Sequence, residues 1–207
     1  ERDIYEVYGY PGQPSFSLMY KYASRQGMAH RIVRGIPKSC WSDGFKLYAD
    51  DTLKSEVLED ELAAICEADF TGVAMRADAL NRIGRFAAIF VGVPDGKDPR
   101  EPLGSVRGKA LDVIYFRPFA HDGIEPHKYD TDPMSTRFGL PEEYQLQVMG
   151  RGDNEKDQAR VPIIAHWSRV IHLCEEPFDS DIEGIPALQP VFNRILDLDK
   201  VLGGSAE

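Results

Sequence analysis

The chain has 207 residues, 43% of them hydrophobic and 28% charged, which is enough for one domain with a real core and excludes a disordered chain. Its net charge of −10 argues against a protein that grips phosphates, since that needs clustered Lys and Arg. The longest apolar run, Phe86 to Val93, is strand-sized and far short of the roughly 18 residues that span a bilayer.

The first quarter reads as helical. Ser15 is placed to cap a helix that puts Phe16, Met19, Tyr20 and Ala23 on one face. Ala29, Ile32, Val33 and Ile36 repeat the pattern, and Pro37 is expected to stop it. Trp41, Gly44, Phe45 and Leu47 then read as a turn into a short strand. Thr52 starts a further helix with Leu58, Leu62 and Ile65 inward. Val73, Ala77, Leu80 and Ile83 mark another, ending near Gly84.

The pattern then changes from helix to strand. The run 86–93, closed by Pro94-Asp95-Gly96, predicts a strand buried on both faces. Strands are also expected over 111–116, 144–149, 161–165 and 169–173. The alternation of 144–149 predicts one solvated face. Loops 94–108, 118–143 and 150–160 are long and polar, a length typical of interaction surfaces. A last helix is expected from about Pro186, with Leu188, Val191, Phe192, Ile195, Leu198 and Leu202 as its apolar stripe. Gly203-Gly204 reads as a C-cap or as a bend in a longer helix. Helices, then strands, then a helix give an α+β fold with a small, mostly antiparallel sheet. The chain shows no leader pattern and does not begin with Met, so a trimmed chain or a fragment is expected.

Each pattern that carries chemistry has a plainer reading beside it. Cys40, Cys66 and Cys174 are odd in number and widely spaced, so reduced, mostly buried thiols are expected rather than a zinc site or disulfides. His121, Asp122, His127, Asp130 and Asp132 bear metal-ligand groups, but without the i, i+4 spacing that puts two ligands on one helix face. A solvated loop is the expectation. Arg76, Arg82 and Arg85 read as a solvated helix face or as salt-bridge partners. Arg151-Gly152-Asp153, Gly92 to Gly96 and Gly150 to Gly152 read as turns without a phosphate-loop Lys. His166-Trp167-Ser168 has the His-x-Ser form of one half of a two-histidine phosphoesterase site, where one imidazole is base and the other acid. His30, His121, His127 and His172 supply no second copy, so a structural role is expected. No catalytic, cofactor-binding or metal residue is assigned.

Several segments, taken in order, resemble the N-terminal part of tailed-bacteriophage portal proteins, specifically the prophage-type portal family sometimes labelled anti-CBASS-like. They are Ala29 to Val33 with Trp41 to Phe45; Arg82 to Gly96; Leu111 to Pro118; Asp132 to Pro141 before Tyr144; His166 to His172; and Val191 to Glu207. The ordered set covers nearly the whole chain.

The resemblance implies a homo-oligomeric ring, usually of twelve subunits, at one capsid vertex. Double-stranded DNA is driven through it by the terminase, and it later joins the head to the tail through adaptor proteins. Residues 1–184 would be a wing-like α+β domain, and 185–207 the start of a helix leading toward the channel. The channel helices, clip and crown would lie beyond Glu207. The implied location is the virion, with assembly in the host cytoplasm and no membrane contact. Two other readings follow from the same resemblance: a cyclic-oligonucleotide phosphodiesterase of the anti-immunity type, and a prophage adaptor or scaffold without DNA contact.

Overall fold

A computed structural model describes residues 4–44, 70–104, 113–149 and 160–204. Helix α1 (Ile4–Val7) is a single turn. Helix α2 (Phe16–Arg25) starts as the sequence predicts: Ser15 Oγ accepts the Leu18 N–H at 3.2 Å, satisfying one of the donors a helix start leaves open. Gln26 then ends one helix and caps the next. Its backbone N–H donates to the Tyr22 carbonyl, while its side-chain oxygen accepts from Ala29 N at 2.6 Å. Helix α3 (Gly27–Trp41) therefore follows α2 with one residue between them.

Pro37 does not stop α3. It shares the buried face with Ala29 and Val33, at i, i+4 and i+8, so its ring is packed in the core. That packing offsets the hydrogen bond that Pro37 cannot give to the turn before it. Ile36 is consequently turned outward. Trp41 closes the helix and opens the expected turn, its carbonyl accepting the Gly44 N–H at 3.3 Å, and its indole N–H donates to Asp78 at 3.1 Å. The strand expected at 45–47 and the helix expected from Thr52 lie outside the described residues.

Helix α4 (Thr71–Asn81) is buried on more than one side, at Val73, Ala74, Ala77, Ala79 and Asn81. It is sandwiched. Val73 and Ala77 pack with Ile89 and the aromatic pair Phe70 and Phe116. Ala79 and Ile83 face the opposite way, into a cluster with Met19, Ala23, Ala29 and Val33. Its alanines let both neighbours approach closely, which is why no single apolar stripe describes it.

Among the described residues the strands form two three-stranded antiparallel sheets rather than one. The first has the order β2-β1-β6, from β1 (Ala87–Gly92), β2 (Tyr115–Ala120) and β6 (Val170–Leu173). The second has the order β3-β4-β5, from β3 (Ile124–Tyr129), β4 (Pro141–Met149) and β5 (Arg160–His166). The run at 86–93 is buried on both faces, as its composition predicts. On one side Phe86 and Ala88 meet Ile124, Tyr144, Leu146 and Ala165 of the second sheet; on the other Ile89 meets α4. The layers are therefore helices, first sheet, second sheet, and the α+β expectation holds. Each fully buried large side chain here, such as Phe86 or Leu146, contributes about 1.5–3 kcal/mol.

Three boundaries differ from the sequence reading. The strand expected at 111–116 begins only at Tyr115 and runs on through Pro118; β2 is an edge strand, where a proline costs no interior ladder bond. The expected loop 118–143 instead contains all of β3 and the start of β4. Its pairing skips His127, between Pro126↔Tyr144 and Lys128↔Glu143, so the strand bulges beside its proline. Lastly, the helix from about Pro186 has a different start. Pro186 is buried ahead of a 3-10 turn (Gln189–Val191), and helix α5 proper spans Phe192–Gly204. Leu188, Phe192 and Ile195 join the α2/α3 cluster, Leu198 is half-buried, and Leu202 is exposed. Gly203 and Gly204 lie inside the helix, so they are not its C-cap.

Candidate functional site

The chain passes between the two sheets at two described corners, and a candidate histidine sits at each. The β2–β3 corner holds His121. Its ring lies against Phe16 (5.5 Å between centroids) and Phe86 (5.8 Å), and its buried Nδ1 has no hydrogen-bond partner. Burial pushes this imidazole below its usual pKa, against a smaller opposing pull from Asp122 and Glu183. A neutral ring wedged between aromatics ties α2 to the sheet layers.

The β5–β6 corner is the 3-10 turn Trp167–Arg169, preceded by His166. Leu103 N donates to Ser168 Oγ at 2.8 Å, and Ser168 N approaches His166 Nδ1 at 3.3 Å. These N–H groups fix the roles: Nδ1 accepts, and the Ser168 hydroxyl donates to it at 2.9 Å. His166 N also donates to the Pro99 carbonyl at 2.9 Å. Arg169, only 3% exposed, donates to Asp95 at 2.6 Å and to the Glu101 carbonyl at 3.1 Å. The Arg169 guanidinium holds the Asp95 carboxyl below the usual carboxylate range. The His-x-Ser element therefore fastens loop 95–103 to the corner through His166 N and Ser168 Oγ, with His166 Nδ1 held by Ser168. Trp167 is covered by Arg137, whose guanidinium carbon lies 3.7 Å from the ring centroid.

A third histidine stands between the sheets. His172 stacks on Phe86 at 4.8 Å, and its Nε2 donates to the Ile182 carbonyl at 2.8 Å, which leaves Nδ1 to accept from Tyr144 OH at 3.3 Å. Burial lowers the His172 pKa and raises that of Tyr144 to about 12. Both groups are neutral near pH 7.

The loop donors do not converge. His121 is at its corner and His127 is exposed on the bulge. Asp130 and Asp132 are used within their own turn: Asp130 accepts from Asp132 N (2.9 Å) and Ser135 Oγ (2.5 Å), and Asp132 accepts from Met134 N (2.9 Å). Among the described residues no three His, Cys, Asp or Glu side chains are grouped to hold a metal. The arginines also part company. Arg82 is buried and makes two bonds to Glu175, at 2.6 and 2.9 Å; Arg85 pairs with Glu183 at 2.5 Å; Arg76 is exposed. Cys40, in the last turn of α3, is exposed, against the expectation of buried thiols; Cys174 is half-buried and its thiol is pushed up by burial. Cys66, Arg151-Gly152-Asp153 and Gly150 lie outside the described residues.

Sequence reasoning did not find the two buried arginine pairs. Their partners lie 74 residues apart for Arg169 with Asp95 and 93 apart for Arg82 with Glu175, so no local signal exists. It also did not find Tyr10, whose hydroxyl donates to both Asp197 oxygens at 2.7 Å and anchors the N-terminal segment on α5.

The hydrogen bonds of the β5–β6 corner thus serve the fold, and among the described residues no helix is long and apolar enough to cross a membrane. Comparison with known proteins agrees with a structural reading. A family model described as "Phage portal protein" matches residues 18–207. No individually curated protein matches the chain. With all but a short N-terminal segment covered by that match, the chain belongs to the phage portal protein family, whose role is structural.

Proposed function

We propose that this chain is part of a subunit of a portal ring, through which double-stranded DNA is packaged and ejected and which connects head to tail. The match over 18–207 carries this reading. In it, residues 1–184 are the wing-like domain and 185–207 begin a helix leading toward the channel. Helix α5 suits such a connection: Phe192 and Ile195 root it in the domain core, while Val201 and Leu202 are exposed at its far end. Ring formation, the capsid, terminase and adaptor partners, and location at the virion's portal vertex after assembly in the host cytoplasm all follow from the same proposal.

The phosphodiesterase alternative needs a reactive histidine beside a free hydroxyl. The Ser168 hydroxyl is instead held between Leu103 N of loop 95–103 and His166 Nδ1, which weighs against it. Electron microscopy of the full-length protein tests the proposal. Rings with a central hole are expected; monomers that hydrolyse cyclic oligonucleotides would overturn it.

A further inference from the structure

Two exposed features lie on opposite layers of the domain, and each lacks what the other offers. The first is the tip 130–140 between β3 and β4, in the second sheet. Besides the aspartate bonds already given, Asp130 N donates to the Leu140 carbonyl (2.9 Å) and Gly139 N to the Asp130 carbonyl (2.8 Å). Gly139 has φ +80°, a left-handed conformation that glycine adopts freely. The tip is held in one shape, yet Met134 is 89% and Phe138 60% exposed. Because the loop backbone is already ordered, docking costs only the rotamer freedom of these side chains and no backbone entropy. Arg137 is turned inward onto Trp167 and the Pro141 carbonyl, which leaves Asp132 as the tip's exposed charge.

The second feature is a groove among α2, α3 and α4 in the helical layer. Ala23, Val33 and Leu80 line its floor; Tyr20, Arg34 and Arg76 stand exposed around it. Among the described residues its lining contains no carboxylate, in a chain whose net charge is −10.

We propose that the tip of one chain docks in the groove of a second copy, with Met134 and Phe138 on the apolar floor and Asp132 facing Arg34 and Arg76. Polarity and charge both match: an apolar tip with an acidic flank meets an apolar trough with a basic rim. The tip belongs to the second sheet, and the groove lies beyond the first sheet in the helical layer. The contact is therefore head-to-tail and leaves one tip and one groove free at the ends of any open assembly, the geometry that builds rings. Met134 and Phe138 would be its anchors within a wider contact, since stable interfaces bury about 800 Å² per partner. The proposal rests on the portal reading only in taking a ring as the product.

Sedimentation velocity on the 207-residue chain and two variants tests it. Met134→Asp/Phe138→Asp disables the tip, and Arg34→Glu/Arg76→Glu disables the groove. All four side chains are exposed, and circular dichroism with thermal melting selects folded protein. The wild-type chain is expected to associate with rising concentration, and each variant alone to stay monomeric. Mixed one to one, the variants should form a dimer and nothing larger, because the mixture has one working tip and one working groove per pair. Asp132→Lys should weaken association of the wild-type chain and strengthen binding to the groove variant. A wild-type chain that stays monomeric to its solubility limit, a variant that associates like wild type, or a mixture that stays monomeric overturns the contact. Rings seen by microscopy that survive the tip variant would overturn this interface and leave the portal reading standing. Mixed dimers without wild-type rings would do the reverse.

Discussion

At the scale of single residues, the described histidines with shifted pKa values and the Arg169–Asp95 pair each leave a pH signature. Burial lowers the pKa of His121, His166 and His172, so the unfolded chain binds more protons than the folded one just below about pH 6.5. Their contribution to stability is complete above that pH and is lost as pH falls through the lower folded values. His121 has the least compensation, since its buried Nδ1 has no partner. His121→Leu is therefore expected to raise the urea midpoint and to flatten its decline between about pH 7 and about pH 5; an equally steep decline would count against this account. Asp95 behaves as a depressed carboxylate, chiefly because Arg169 donates to it. Its contribution is present above the ordinary Asp value of about 3.9 and fades as pH drops through the folded value. Asp95→Asn leaves the Arg169 side chain, 4% exposed, without its counter-charge. The variant should be clearly less stable than wild type near neutrality, with the gap closing in acid. A gap that is the same at neutral and acid pH would show that the ion pair is not its cause.

At the scale of elements, α5 offers the sharpest test, because its two glycines stand where sequence convention places a stop. A β-carbon on Gly203 would meet nothing within 4 Å, and the residue is helical without a positive φ. Alanine there removes the backbone freedom that glycine loses on folding, so Gly203→Ala should stabilise the helix end by about 0.5–1 kcal/mol. Raised helicity by circular dichroism is the check; a loss would mean that Gly203 ends the helix in solution. Glycine is needed elsewhere, at Gly92, where a β-carbon would come within 2.5 Å of the Tyr115 ring. How far an element can be read from sequence follows from how local its cause is. Ser15 and the Met19/Ala23 spacing announce α2 because cap and face lie within ten residues. The run 86–93 announces β1 because layers on both sides demand an unbroken apolar strand. Strand β3 is hidden because only Ile124 is buried, Pro126 interrupts it, and its ladder partners are more than ten residues downstream. Pro37 misleads for the same reason in reverse: the burial that tolerates its ring is tertiary, which no local window reveals.

At the scale of the whole molecule, the proposed portal role raises the question of how an acidic chain would serve a passage for an acidic polymer. Affinity for DNA comes mainly from cations that displace condensed counterions, and it therefore grows with the number of free Lys and Arg along one track. Here 34 acidic residues face 24 basic ones, and several of the bases are already committed. Arg82, Arg85, Lys128 and Arg169 are held by carboxylates, and Arg137 covers Trp167. Arg34 and Arg76 share one groove rather than forming a track. A surface of this kind repels phosphates and adds little friction to a moving duplex. Fluorescence anisotropy with a labelled duplex should therefore show weak, non-saturating binding at physiological salt, falling further as salt is added. Submicromolar affinity that survives added salt would mean that the chain grips DNA, and the idea of a non-adhesive passage would fail. Charge reversal gives the complementary arm: replacing exposed acids on one face by lysine should create salt-sensitive binding where little existed, without altering the fold that the buried pairs maintain.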